Sequence, residues 1–369
     1  MIEKKELLVK ENNIPIYKIL LEQDFERLKD ELLALGYGQR KVLIVTETNV
    51  APLYLDTVKE ELQNVFSEVH SFIFEAGEKQ KHLETVSSIY TKLIQYQFDR
   101  KDLLIALGGG VTGDLTGFAA ATYLRGVAFV QVPTTLLSQV DSSIGGKTGV
   151  DYLNYKNMVG AFYQPKLVYI NISTLNTLPD EEFYSGLGEV IKHGLIKDKN
   201  YFEWIENNKE LINQREHNTL VHLIYQSCCI KGNVVEKDPK EQGERALLNF
   251  GHTLGHAIEK LANFSIPHGD CVVIGAKLAT YISWKKDLLS DEEYQRSIHL
   301  LNAFPFHILP KEMDCQKIIE ATKLDKKMEQ GAIKFILLNE IGNAIIDKSV
   351  TENEMLESLL AMVQGEIDK

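Results

Sequence analysis

Long apolar runs are missing from this sequence. No stretch approaches the ~18 residues of a membrane-spanning helix, so a membrane protein is not expected. The first residues, Met1-Ile-Glu-Lys-Lys-Glu6, have no apolar segment after their charges and do not read as a secretory signal. Cysteine is scarce. The four present, Cys228, Cys229, Cys271 and Cys315, have the spacing of neither a zinc ribbon nor a Cys-x-x-Cys redox pair. Reduced thiols in the cytoplasm are the expectation. A surplus of positive charge is missing too. With 40 Lys and Arg against 52 Asp and Glu, the net charge is -12. That excludes nucleic acid and anionic membranes as general partners, but leaves an anionic small molecule open if basic residues cluster locally. No internal repeat and no low-complexity segment is present. What remains is 369 residues, 44% hydrophobic and 25% charged, enough for two soluble domains with cores of their own.

The first half alternates compact apolar runs with helical patterns. Lys41–Val45, Val69–Phe74, Asp102–Leu107, Val127–Val132 and Leu167–Ile170 read as strands. Val86–Gln95 and Leu115–Ala121 read as helices between them. Continuous apolar strands separated by helices predict a parallel sheet covered on both faces. In such a sheet, ligands bind outside the carboxyl ends of the strands. Those ends carry Glu47 and Asn49, then Gly77, Glu78 and Lys79, then Gly108-Gly-Gly110-Val111-Thr-Gly113-Asp114, then Thr134 and Thr135, then Thr174 and Thr177. The composition suits a dinucleotide cleft, with the glycine turn opening a helix whose N–H groups can hold a pyrophosphate.

Gly108-x-Gly110-x-x-Gly113 matches the dinucleotide fingerprint, but that fingerprint also wants an acidic residue roughly 20 positions on, at the end of the next strand. The next strand ends in Pro133-Thr-Thr135 instead. Either the turn is only a tight connection or a ribose carboxylate comes from upstream, from Glu47 or Glu78. Beyond Thr135, the segment Asp141–Gly149 is polar and glycine-rich and reads as a loop. With Asp141, Lys147, Lys156 and Asn157 it offers polar and cationic groups for an anion.

Near Leu178 the texture changes to long amphipathic helical patterns: Asp180–Ile196, Tyr201–Ile212, Asn218–Glu236, Ala246–Leu261, Cys271–Lys285 and Asp291–Ala303. We place a domain boundary there, giving 1–178 and a mainly helical 179–369. Three of the ten histidines, His252, His256 and His268, fall within seventeen residues of this half, with Arg245 and Asn249 just upstream. His252 and His256 are four apart and would share one helix face. Such pairs are common on ordinary helices, but Gly251 and Gly255 strip side chains from the same stretch. That suits close approach by a ligand or by another backbone. A catalytic zinc takes three protein ligands, so a third carboxylate or imidazole is needed from elsewhere. Glu189 and Lys192, inside Gly188-Glu-Val-Ile-Lys192, can face one cleft, and His193 is then expected to point away. Lys231, Asp238, Glu241 and Arg245 punctuate the following segment. Asp325-Lys-Lys327 precedes a hairpin expected over 332–346.

Taken in order, these motifs resemble 3-dehydroquinate synthase, of the sugar-phosphate cyclases. They are Gly-Glu-Lys at 77–79, Gly-Gly-Gly-Val-x-Gly-Asp at 108–114, Pro-Thr-Thr at 133–135 and Asp-Ser-Ser-Ile-Gly-Gly-Lys-Thr-Gly at 141–149. They continue with Lys156-Asn157, Gly-Glu-Val-Ile-Lys at 188–192, Arg-x-x-Leu-Asn-Phe-Gly-His-Thr-x-Gly-His-Ala at 245–257, His-Gly at 268–269 and Asp-Lys-Lys at 325–327.

The resemblance implies an α/β NAD-binding domain, a helical domain for metal and substrate, and a site in the cleft between them. It implies NAD⁺ and one divalent metal, usually zinc, with cobalt possible. The metal ligands carried over are Glu189, His252 and His268, and His256 then contacts substrate. The cofactor set is Glu47, Asn49, Gly77, Glu78, Lys79, Lys81, Gly110, Val111, Gly113, Asp114, Thr134, Thr135, Lys147, Lys156, Thr174 and Thr177. The implied reaction closes 3-deoxy-D-arabino-heptulosonate 7-phosphate into 3-dehydroquinate with loss of phosphate, in the shikimate pathway. NAD⁺ takes a hydride and later returns it, and the leaving phosphate can act as base. Lys147, Asn157, Asn249 and His256 would surround the phosphate, and Arg245 with Lys231 would clamp the carboxylate. Asp141, Lys192 and Lys326 or Lys327 complete the pocket. Arg125 resembles a residue contributed across a homodimer interface.

Glu47 stands where an Asp is common in the family. Three other readings share parts of this pattern. A 2-deoxy-scyllo-inosose synthase acts on a substrate with no carboxylate for Arg245. A metal-dependent alcohol dehydrogenase would release NADH. A nucleotide-binding protein would have no turnover.

Overall fold

The computed structural model describes residues 5–153, 155–323, 328–329 and 332–368. Two compact units emerge, Met1–Leu178 with Lys231–Pro239, and Pro179–Ile230 with Lys240–Lys369. Beyond the boundary expected near 178, the chain thus returns a short segment, 231–239, to the first unit. Its anchors are visible: Glu236 Oε1 accepts from the Lys10 N–H at 2.8 Å.

The first unit holds β1 (Lys5–Glu11), β2 (Ile14–Glu22), α1 (Leu28–Ala34), β3 (Lys41–Glu47), α2 (Asp56–Gln63), β4 (Glu68–Phe74), α3 (Leu83–Gln95), β5 (Leu103–Gly108), α4 (Gly110–Thr122), β6 (Ala128–Pro133), β7 (Lys147–Tyr152), β8 (Tyr155–Phe162) and β9 (Leu167–Asn171). Seven strands form one sheet in the order β1-β2-β9-β6-β5-β3-β4. Only the β1–β2 pair is antiparallel. The period-2 alternation of side chains divides the strands between two cores. Val42, Ile44, Leu103, Ile105 and Leu107 pack under α1 and α2. Leu43, Val45 and Leu104 pack under α3 and α4. Strands buried on both faces explain why the sequence shows apolar runs there rather than alternation.

The order also locates a crevice. The helix after β3 covers one face and the helix after β5 covers the other. Between these adjacent strands the connections diverge, as at the switch point of a doubly wound sheet with the order 2-1-3-4-5. The β1–β2 and β7–β8 hairpins were not anticipated, because neither has an Asn-Gly or Asp-Gly turn flanked by alternating apolar residues. The stretch 141–149, read as a loop, is mostly buried, and β7 begins inside it.

The second unit holds α5 (Asp180–Lys197), α6 (Lys199–Asn213), most of α7 (His217–Lys237), α8 (His252–Leu261), α9 (His268–Lys285), α10 (Asp291–Asn302), α11 (Cys315–Thr322), β10 (Met328–Glu329), β11 (Ala332–Ile333), β12 (Phe335–Glu340), β13 (Asn343–Asp347) and α12 (Glu352–Val363). α9 is its axis, buried continuously from Gly269 to Ser283. The expected hairpin is really two, β10–β11 and β12–β13. The helix expected over Ala246–Leu261 is broken. Residues Glu244–Asn249 form a 3₁₀ turn, and Gly251, at φ +80°, turns the chain into α8. Only glycine takes that conformation without strain.

Candidate functional site

In the second unit three helices bring one constellation together. Glu189 lies midway along α5, His252 opens α8 and His268 opens α9. Backbone contacts draw these helices close. A Cβ on Gly269 would lie 1.8 Å from the Ser185 carbonyl oxygen, and one on Gly275 would lie 1.9 Å from that of Gly251. Small residues in this region therefore serve helix-to-helix contact, the second of the two purposes open from sequence.

His252 Nε2 is 3.6 Å from Glu189 Oε1, and His268 Nε2 is 3.8 Å from the same oxygen. Zinc bonds of about 2.1 Å in a tetrahedral site put neighbouring ligand atoms about 3.4 Å apart, so this spacing fits a shared cation. The other ring nitrogens are committed. His252 Nδ1 sits 3.1 Å from the Phe250 carbonyl oxygen, and His268 Nδ1 sits 3.4 Å from Glu259 Oε2. In the tautomers these acceptors select, both Nε2 lone pairs face the buried Glu189 carboxylate. Lone pairs facing a carboxylate repel unless a cation lies among them. Lys192, also buried, forms an ion pair with Glu189.

His256 stands in the same cluster. Its ring centroid is 5.0 Å from that of His252 and 5.7 Å from that of His268. One ligand atom from each of the three rings lies within 4.8 Å of the others. His193, expected to point away, has a ligand atom within 4.8 Å of one of Glu189's. Residues four apart share a helix face, and that rule should have predicted it. Upstream, Arg245 is buried on the 3₁₀ turn, and Asn249 donates to Glu241 Oε1 at 2.7 Å. Lys326, with Asp325 and Lys327, lies outside the described residues.

In the first unit the glycine turn runs from β5 into α4. Gly109 precedes α4 with no side-chain cap, leaving the first N–H groups of the helix open to an anion. The turn packs tightly on its other side, for a Cβ on Gly110 would come within 3.1 Å of Ser142 Oγ. Gly113, one turn on, packs against Gln131. β6 continues into Thr134 and Thr135, so no acidic residue stands at the end of the next strand. β3, paired with β5 on the other side, ends in Glu47. Glu47 accepts from the Asn49 N–H at 2.6 Å and the Val50 N–H at 3.1 Å. Acceptor capacity remains on that carboxylate for a diol.

Gly77, at φ +115°, leads into a short 3₁₀ turn carrying Glu78 and Lys79. Lys156 Nζ approaches Glu78 Oε1 at 3.6 Å. Lys81 is buried, pairing with Asp114 at 2.6 Å and donating to Asn157 Oδ1 at 2.6 Å. Burial works to lower the Lys81 pKa, but the carboxylates of Asp114, Glu78 and Asp151 prevail and hold it above the usual lysine range. Burial pushes the Asp114 carboxyl up, and Lys81 only partly opposes this. Lys231 donates to both the backbone and side-chain oxygens of Asp141 at 2.6 Å. Lys147 is exposed at the start of β7, and Arg125 is exposed after α4 at φ +67°.

Some supporting residues had no signal in the sequence. Gln139, wholly buried, donates to Pro133 O, Asn171 O and Thr174 Oγ1, tying together the ends of β6 and β9. Tyr54 bonds Thr177 Oγ1 and Thr174 O. Thr174 is buried, with its hydroxyl donated to Asn171 O at 2.8 Å.

Two family models match successive parts of the chain and meet within α5. A family model for the 3-dehydroquinate synthase N-terminal part matches residues 71–185, and one for the C-terminal part matches 186–328. A 3-dehydroquinate synthase of Ruminiclostridium cellulolyticum is 43% identical over 344 residues, 93% of this chain and 95% of that one. A solved 2-epi-5-epi-valiolone synthase from Streptomyces hygroscopicus, with NAD⁺ and Zn²⁺ bound, is 26% identical with a TM-score of 0.85, covering 97% of this chain and 99% of its own. A 2-deoxy-scyllo-inosose synthase complexed with carbaglucose-6-phosphate, NAD⁺ and Co²⁺ shares the fold, with a TM-score of 0.87 at 24% identity over 96% of this chain and 99% of its own.

Proposed function

Because this chain belongs to the 3-dehydroquinate synthase family, we propose that it converts 3-deoxy-D-arabino-heptulosonate 7-phosphate to 3-dehydroquinate with release of phosphate, as a lyase of the shikimate pathway. The observation that carries this reading is the approach of His252 and His268 to one oxygen of buried Glu189. Glu189, His252 and His268 would hold a divalent metal, zinc or cobalt. With two neutral imidazoles and one carboxylate, the bound ion keeps a net positive charge and can lower the pKa of substrate hydroxyls. The α4 N-terminus, with Glu47, Asn49, Glu78, Lys81, Asp114, Thr134 and Thr135 around it, would hold NAD⁺, which would supply an acceptor for a hydride that is later returned.

The remaining chemistry is binding and orientation by this chain. The substrate carries a carboxylate and a phosphate, while the protein carries -12, so local cations must offset a general repulsion. Arg245 offers a planar fork suited to the carboxylate, with Lys231 beside it in role. Lys147, Asn157, Asn249 and His256 supply donors for the phosphate. Lys192 would stand next to the reacting hydroxyls, and Asp141 and His256 are the groups for proton transfer. Lys326 would add a further cation. Residues 1–178 would serve as the NAD-binding domain and 179–369 as the metal and substrate domain.

The protein would act in the cytoplasm as a homodimer. Among the described residues, no helix is long and apolar enough to cross a membrane. The β7–β8 hairpin leaves Leu153, Tyr155 and Phe162 exposed, supporting a second copy as their cover.

Mixing the purified protein with NAD⁺, zinc and the heptulosonate phosphate tests the reading. Phosphate and dehydroquinate should appear in equal amounts with no net NADH. Stoichiometric NADH would indicate a dehydrogenase instead, and absence of phosphate release would end the proposal.

A further inference from the structure

We propose that Glu259 is a positioning residue for the metal centre, acting through His268. The inference rests on the metal reading above and adds a residue to it. Glu259 is buried on α8, two turns beyond His252, so one helix carries both a ligand and the partner of another ligand. Its Oε2 lies 3.4 Å from His268 Nδ1, while His268 Nε2 faces Glu189. The ring is thus placed between two carboxylates, one for each nitrogen.

The two histidines are held unequally. His252 gives its Nδ1 proton to a neutral carbonyl, and His268 gives its own to a carboxylate. A carboxylate partner fixes the tautomer and raises the basicity of the opposite nitrogen more than a carbonyl does. His268 has the greater need of such a partner. It is the first residue of α9, where the helix dipole disfavours positive charge on the ring. Its side chain is 32% exposed, against 11% for His252. Less packing confines it, so Glu259 does the orienting that packing does for His252.

The test uses the full-length protein. Zinc affinity is measured by competition with a chromophoric chelator, beside the absorption spectrum of the cobalt-loaded form and the melting temperature of the metal-free form. Glu259→Gln keeps the shape and an acceptor but loses the charge, and should weaken zinc about 10-fold. Glu259→Ala should weaken it nearer 100-fold, the usual range for such partners. Glu259→Asp should recover part of the loss, and each variant should shift the cobalt spectrum. NAD⁺ affinity and metal-free melting should stay as in the parent. His252→Ala, as control, should abolish binding. Parent-like zinc affinity in Glu259→Gln, with binding still lost in His252→Ala, overturns this inference and leaves the metal site standing. A fall in metal-free melting that accounts for the lost affinity also overturns it. Zinc affinity insensitive to His252→Ala removes the metal site itself, and this inference with it.

Discussion

Single residues decide whether the second unit closes around its constellation. The contact of the Gly275 Cα with the Gly251 carbonyl leaves no room for a methyl group, since the added Cβ would sit 1.9 Å from that oxygen. Gly275→Ala should therefore separate α8 from α9. The expected cost is about 2 kcal/mol or more, with a parallel loss of zinc affinity, read from denaturant midpoints and chelator competition. An unchanged midpoint would show that the helices can part without consequence. Lys147 makes the opposite case. Exposed at the start of β7, it contributes little to any core, so Lys147→Ala should melt like the parent while turnover falls on the order of 100-fold. Undiminished phosphate release would exclude its contact with the phosphate. At this scale the sequence was partly legible. The pairing of His252 with His256 followed from helical spacing, but spacing says nothing of Glu189 or His268, which reach the site on other helices. Glu259 was invisible for a related reason, because a buried partner of a histidine looks like any glutamate on an amphipathic helix.

Elements were easiest to read where burial is two-sided. β3, β5, β6 and β9 show as unbroken apolar runs because helices cover both faces of the sheet. The strand order is compatible with an upstream carboxylate near the glycine turn, since β3, which ends in Glu47, and β6 flank β5 on opposite sides. The β1–β2 and β7–β8 hairpins and the break in the Ala246–Leu261 pattern were not legible, whereas the hairpin expected over 332–346 has its counterpart in β12–β13. A 3₁₀ turn and a helix share nearly the same apolar spacing, and what separates them is backbone conformation, extended at Phe250 and left-handed at Gly251. The β7–β8 hairpin carries its own prediction. Leu153 is 80% exposed, beyond what an apolar side chain gains from solvent. On the homodimer proposed above, Leu153→Asp, with Tyr155→Asp as a second variant, should shift the protein from dimer to monomer in light scattering while preserving the melting of the monomer, and a parent that is itself monomeric would remove the proposed interface. Two variants that remain dimeric would place the interface elsewhere.

For the whole molecule, the informative feature is that each unit has its own core and its own candidate ligand. The glycine turn and Glu47 belong to the first unit, and Glu189, His252 and His268 to the second. A ligand stabilises the segments it binds by mass action, about 2.7 kcal/mol at a hundredfold excess over its Kd. Hydrogen exchange resolves such effects segment by segment. Zinc alone should therefore slow exchange chiefly over 188–193 and 250–270. NAD⁺ alone should slow it chiefly over 105–115 and 133–136. Removing the metal with a chelator should reverse only the first pattern and leave NAD⁺ protection in place. If zinc alone protects the glycine turn as strongly as the histidine helices, the assignment of one ligand to each unit is wrong. If both ligands together protect residues that neither protects alone, binding energy from one unit is being used to order the other. The sequence hints at this division in its change of texture near Leu178, but it could not anticipate the return of 231–239 to the first unit. That segment carries Lys231 onto Asp141, a contact between residues 90 positions apart that no local pattern encodes.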